Sequence, residues 1–140
     1  MNYKFLHTLD LSFNRVEGAA GGRAIAKLIG RRPERSGGIA LTKLDLSHNQ
    51  LGSEGLAPIL EQLARPEERI ESLNLAYNDI TLVLGSQFES SHYTTALIGI
   101  ENFVLDGNPF KRGGYTRLAV LMRMLVPLSA LSMRDCLVDD

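Results

Sequence analysis

One phrase, repeated along the chain, leaves this sequence few ways to fold. It runs aliphatic, two spacers, aliphatic, one spacer, aliphatic, two spacers, then asparagine or cysteine, with Phe103 filling one aliphatic slot. The copies are Leu6-Leu9-Leu11-Asn14, Leu41-Leu44-Leu46-Asn49, Ile70-Leu73-Leu75-Asn78, Ile100-Phe103-Leu105-Asn108 and Leu128-Leu131-Met133-Cys136. Another apolar residue stands two positions on: Val16, Leu51, Ile80, Phe110 and Val138. First positions 6, 41, 70, 100 and 128 are separated by 35, 29, 30 and 28 residues. A period of this length marks a solenoid, in which each unit buries its apolar side by stacking on its neighbours. The repeats fall at 6–40, 41–69, 70–99, 100–127 and a truncated 128–140, so residues 1–140 read as a single domain.

Within each phrase, apolar residues one spacer apart point to the same side of a strand. Leu9 with Leu11, Leu44 with Leu46, Leu73 with Leu75, and Phe103 with Leu105 therefore face one core. Strands of this kind pair in parallel only if a crossover comes after each of them. In the second repeat Leu56, Ile59, Leu60 and Leu63 recur at helical spacing over Glu54–Ala64. In the fourth, Tyr115, Leu118, Ala119, Met122, Leu125 and Val126 form a stripe that Pro127 ends. The first offers Ala24, Ile25, Leu28 and Ile29, then a surface loop of proline, glycine and arginine over 31–38. In the third, Gly85, Ser90-Ser91 and Thr94-Thr95 predict a short, broken helix or mixed turns over 81–99.

The recurring asparagine suits a chain that turns sharply off a buried strand. Such a turn strands backbone N–H and C=O groups, and asparagine carries donors and an acceptor on a short stem. Asn14, Asn49, Asn78 and Asn108 are expected to form a ladder, with Cys136 as a small buried residue in the equivalent slot.

LxxLxLxxN/CxL, at a step near 28 residues with a helical second half, resembles the leucine-rich repeat of ribonuclease-inhibitor-like type, from Leu6 to Val138. The resemblance implies an α/β leucine-rich-repeat solenoid, a horseshoe arc with parallel strands on its concave side and helices on its convex side. It also implies a non-catalytic protein–protein interaction module that binds a protein partner, with no cofactor and no small-molecule substrate. Similar proteins include ribonuclease inhibitor, the sensing halves of nucleotide-binding immune receptors, actin-regulating repeat proteins and activators of the nuclear-transport GTPase. These imply two alternatives to an intracellular scaffold or adaptor: an enzyme regulator such as a GTPase activator, or a structural subunit of a ribonucleoprotein or cytoskeletal assembly.

By register, the residues facing away from the core line the concave wall: Thr8, Asp10, Ser12; Lys43, Asp45, Ser47; Ser72, Asn74, Ala76; Asn102, Val104, Asp106; and Ala130, Ser132, Arg134. Phe13, His48 and Tyr77 rim it as an aromatic and imidazole row. The expectation is a mildly acidic surface for a basic or polar segment of a protein. A second candidate is the fourth repeat's helix, whose flank opposite the stripe still carries Val120, Leu121 and Met124, too much apolar surface for water alone. Neither end shows a polar cap, an expectation of terminal repeats covered by a partner, by self-association or by further chain.

Catalytic and metal-binding patterns are missing. The run Gly18–Arg23 lacks the lysine and hydroxyl of a phosphate loop, and His7, His48 and His92 have no metal-ligand spacing. Asp45, Ser47 and His48 contain the residue types of a triad, but His48 begins the strand exit and breaks the relay. The arginines of 31–35 have no base-stacking aromatics beside them, so nucleic acid is not expected except within a larger complex. A net charge of −1 gives no field toward anionic membrane, and no apolar run approaches the roughly 20 residues of a span. One cysteine cannot close an internal disulfide, which predicts a reducing, intracellular (cytoplasmic) setting.

Overall fold

The structure is a computed structural model that describes residues 6–31, 41–65, 70–82 and 99–136. The elements in chain order are β1 (Thr8–Asp10), α1 (Gly18–Ile29), β2 (Lys43–Asp45), α2 (Gly52–Leu63), β3 (Ser72–Asn74), β4 (Asn102–Val104), α3 (Gly114–Met124) and β5 (Ala130–Ser132). The strands make one five-stranded sheet in sequential order, every pair parallel. Its register is that of the repeated phrase: Leu9 lies beside Leu44, Leu44 beside Leu73, Leu73 beside Phe103, and Phe103 beside Leu131.

Behind the sheet the inward residues merge into one cluster rather than separate pockets, including Leu44, Leu46, Leu73, Leu75, Phe103 and Leu105. From α2, Leu56, Ile59, Leu60 and Leu63 enter it, as the helical spacing predicts. From α1, Ile25 and Ile29 enter, Leu28 is half-buried, and Ala24 is exposed. The expected surface loop at 31–38 and irregular segment at 81–99 fall mostly outside the described residues, which skip 32–40 and 83–98.

Two adjacent helices pack closely because glycine faces glycine. A Cβ on Gly22 of α1 would strike the Gly55 carbonyl of α2 and stand 2.6 Å from the Gly55 Cα. Gly22→Ala is therefore expected to destabilise by about 1–3 kcal/mol despite alanine's better helix propensity, since backbone cannot yield as a side chain can. Gly113→Ala, which enters open space, is expected to be neutral or slightly stabilising. Denaturant melts of the two variants check this.

The rotation of α3 corrects the sequence expectation. Its buried residues are Gly114, Leu121 and Met124, joined by Leu125 just past its end. Tyr115, Met122 and Val126 are instead 38%, 37% and 67% exposed. Leu121 and Met124, assigned from sequence to an outer flank, belong to the core. Both stripes satisfy helical spacing, so spacing alone does not choose. Gly114 chooses: a Cβ there would stand 2.6 Å from the Thr81 carbonyl oxygen, so the helix turns its bare side to the preceding coil.

Candidate functional site

The concave wall is built by the alternate strand positions in three side-by-side columns. One runs Thr8, Lys43, Ser72, Asn102, Ala130, and the next Asp10, Asp45, Asn74, Val104, Ser132. At the strand exits stand Ser12, Ser47, Ala76, Asp106 and Arg134. Neighbouring strands lie about 4.8 Å apart, so each column is a ladder of side chains in near contact. Thr8, Asp10, Lys43 and Asn102 are exposed, while Ser12, Asp45, Ser72, Asn74, Val104 and Asp106 are half-buried. Ser47, only 6% exposed, offers little to a partner.

The acidic column is engaged in the fold as well as facing solvent. Oδ1 of Asp10 accepts the Ser12 backbone N–H at 2.8 Å, and Oδ1 of Asp45 accepts that of Ser47 at 2.8 Å. Oδ1 of Asn74 likewise accepts the Ala76 N–H at 3.0 Å. Each carboxylate or amide thereby closes the turn off its strand, the local role for which short Asx side chains are suited. Across strands, Asn74 Nδ2 donates to Asp45 Oδ2 at 3.0 Å. Asp106 works between coils, where Ser132 Oγ donates to it at 2.6 Å and the Arg134 N–H at 2.8 Å.

At Asp10 and Asp106 these bonds favour the ionised carboxylate. The Ser12 side-chain and backbone hydrogen bonds hold the Asp10 carboxyl below its ordinary value. For Asp106 desolvation pushes upward, but the Ser132 and Arg134 hydrogen bonds and the Arg134 charge together outweigh it, and the carboxyl also lies low. With Asp45 oxygens bonded to Ser47 and Asn74, no Asp45–His48 relay is built, and the His48 ring is used elsewhere.

That use is stacking. Phe13 and His48 lie 4.1 Å apart between ring centroids at 9°, and His48 and Tyr77 4.5 Å apart at 13°. All three hold left-handed backbone, with φ of 55°, 55° and 54°. Left-handed backbone costs a bulky side chain about 1–2 kcal/mol, and each stacked pair returns roughly 0.5–1.5 kcal/mol. The same turn position is Gly107 in the fourth coil, with φ 67°, and Asp135 in the fifth, with φ 52°. A side chain at Gly107 would collide with the Tyr77 ring, its Cβ 2.8 Å from Cζ. Gly107 is thus the floor on which the row ends, a role its position just before Asn108 hints at but that no local pattern reveals.

Beneath the wall runs the asparagine ladder. Asn49 Nδ2 donates to the carbonyls of Leu46 in its own coil and Leu11 in the preceding one, at 2.8 and 3.0 Å, while its Oδ1 accepts the Val16 N–H at 3.0 Å. Asn78 repeats the pattern with Leu75, Leu46 and the Leu51 N–H. Asn108 donates to Leu105 and Leu75 and accepts the N–H groups of both Asn78 and Ile80. Asn14 is exposed and bonds only within its own coil, to the Leu11 and Ser12 carbonyls. Cys136 repeats the donor half of the pattern: Sγ donates to the Leu105 carbonyl at 3.3 Å. It is half-buried rather than buried. Burial and the charges of Asp106 and Asp135 push its thiol up against the opposing Asn108 and Gly107 hydrogen bonds, which keeps it protonated for that bond.

Among the described residues no group of three or more His, Cys, Asp or Glu is placed to hold a metal ion. No helix there is long and apolar enough to cross a membrane. Comparison with protein families matches residues 4–26 and 40–60 to the Leucine Rich repeat, and a search of curated proteins gives no match. The matched segments cover β1 with most of α1, and β2 with most of α2. With five parallel strands in one sheet and helical crossovers, the fold is a leucine-rich-repeat solenoid. Repeats of this family generally mediate protein–protein interaction and are typically non-catalytic.

Proposed function

We propose that this leucine-rich-repeat chain is an intracellular scaffold or adaptor of ribonuclease-inhibitor-like type, whose protein partner lies along the concave strand wall. The observation that carries the reading is the uninterrupted wall itself. Five strands in one register present their outward residues as continuous columns, a rigid surface that can grip an extended segment without first being ordered. The ionised Asp10 and the Asp45–Asn74 pair favour a basic or polar segment. The helical crossovers α1 and α2, of 12 residues each, support the ribonuclease-inhibitor-like type, and a lone free thiol at Cys136 supports a reducing compartment.

Quantitative affinity capture with matched variants tests the location. Asp10→Asn with Asp45→Asn removes both charges while keeping the oxygens that accept the Ser12 and Ser47 N–H groups. This double variant is expected to lose most of the enrichment seen with the unaltered chain. Arg23→Glu with Glu61→Lys, exposed positions on α1 and α2, is expected to retain it. The opposite pattern would move the interface to the helices.

A further inference from the structure

The acid column begins on β1, the first strand of the described sheet, and the ring row begins in the turn that follows it. Asp10 heads the column and is exposed. Phe13 heads the row, stacked on His48 through one face at 4.1 Å, and its 76% exposure leaves the other face open to solvent. At the far end the row is closed, because Tyr77 rests on Gly107 where no side chain fits. The turn does not require these rings, since Gly107 and Asp135 hold the same left-handed conformation without one. A ring row with an exposed first ring, one residue past the Ser12 N–H that the Asp10 carboxylate holds at 2.8 Å, has the chemistry of a stacking platform.

We propose that the open face of Phe13, together with the carboxylate of Asp10, receives the guanidinium of an arginine in a segment of the protein partner, which extends the ring row by one rung. Arginine fits where lysine does not: its planar fork lies flat on a ring face while its N–H groups meet a carboxylate, whereas an ammonium is a hydrated point charge. The local charges agree. Asp10 sits beside Asp45, and Lys43 lies on the far side of that rung from the rings; Arg15, two residues past Phe13, is the nearest cation in sequence. Asp10 is held ionised by its Ser12 hydrogen bonds. This inference rests on the reading of the wall as a partner surface and adds the residue type that the partner contributes.

NMR titration of the whole chain with a capped Gly-Arg-Gly peptide tests it without a partner. The expected result is saturable shifts of the Phe13 ring and Ser12 amide signals at millimolar peptide. The Gly-Lys-Gly and citrulline analogues should bind about two- to fivefold more weakly, the size of a solvent-exposed cation–π contact. Phe13→Ala and Phe13→Leu should both abolish the arginine preference; the leucine keeps apolar bulk but has no π face. Equal shifts with arginine and lysine, no shift at all, or an arginine preference that survives Phe13→Leu would overturn the proposal. Any of these would leave the concave reading intact, since that reading stands on the capture pattern of the Asp10 and Asp45 variants.

Discussion

Asn108→Ala is expected to lower stability by about 4 kcal/mol, a fall in Tm of roughly 14 °C for a chain of this size. Asn108 is fully buried, and its Oδ1 is the acceptor for two backbone N–H groups of the preceding coil, those of Asn78 and Ile80 at 2.9 and 3.1 Å. Its Nδ2 also donates to the Leu75 and Leu105 carbonyls at 2.9 and 2.8 Å. Alanine leaves the two N–H groups without a partner where water does not reach, each at a cost of about 1–3 kcal/mol, while the Leu75 and Leu105 carbonyls keep only their longer bonds from Asn78 Nδ2 and Cys136 Sγ, both 3.3 Å. The same substitution at Asn14, exposed and bonded only within its own coil, should cost about 0.5 kcal/mol or less. Asn49→Ala belongs between them, because Asn49 accepts a single N–H, from Val16. Equal melts for the Asn14 and Asn108 variants would show that the asparagines do not act as a ladder between coils.

Phe103→Ala should cost about 3–5 kcal/mol, the range for a large aromatic removed from a core that cannot close around the gap. Phe103 is 1% exposed and lies in register between Leu73 and Leu131. Leucine occupies that register position in the neighbouring strands, so Phe103→Leu is the conservative control, at about 1 kcal/mol. The loss should also be regional. In a solenoid each coil is held chiefly by its neighbours, so the damaged coil uncouples the later coils from the earlier ones. Hydrogen exchange should then show α3 and β5 losing protection before β1, α1 and β2 do. Uniform loss across the described residues would mean that the array unfolds as one cooperative unit.

Much of this architecture is written locally. Alternation within each phrase sets which side of a strand is buried, and the same phrase in each coil aligns Leu9, Leu44, Leu73 and Phe103 without further information. The asparagine slots arise for the same reason: each is a fixed distance past a strand whose turn must be satisfied. The wall residues could likewise be assigned by register, from Thr8 to Asp106.

Residue order alone thus reaches everything governed by two periods, the two-residue step of a strand and the near-30-residue step of the coil. The remainder depends on the neighbouring coil. Packing rotates α3 so that Leu121 and Met124 are inside and Tyr115 and Met122 outside, because Gly114 must meet the Thr81 carbonyl. It buries Ser47, and it gives the Asp106 carboxylate a partner 26 residues downstream in Ser132. It also brings Phe13, His48 and Tyr77 into one stack and closes that stack on Gly107. Each of these is a close approach between backbones or side chains from different coils, and a spacing rule within one coil says nothing about the distance to the next.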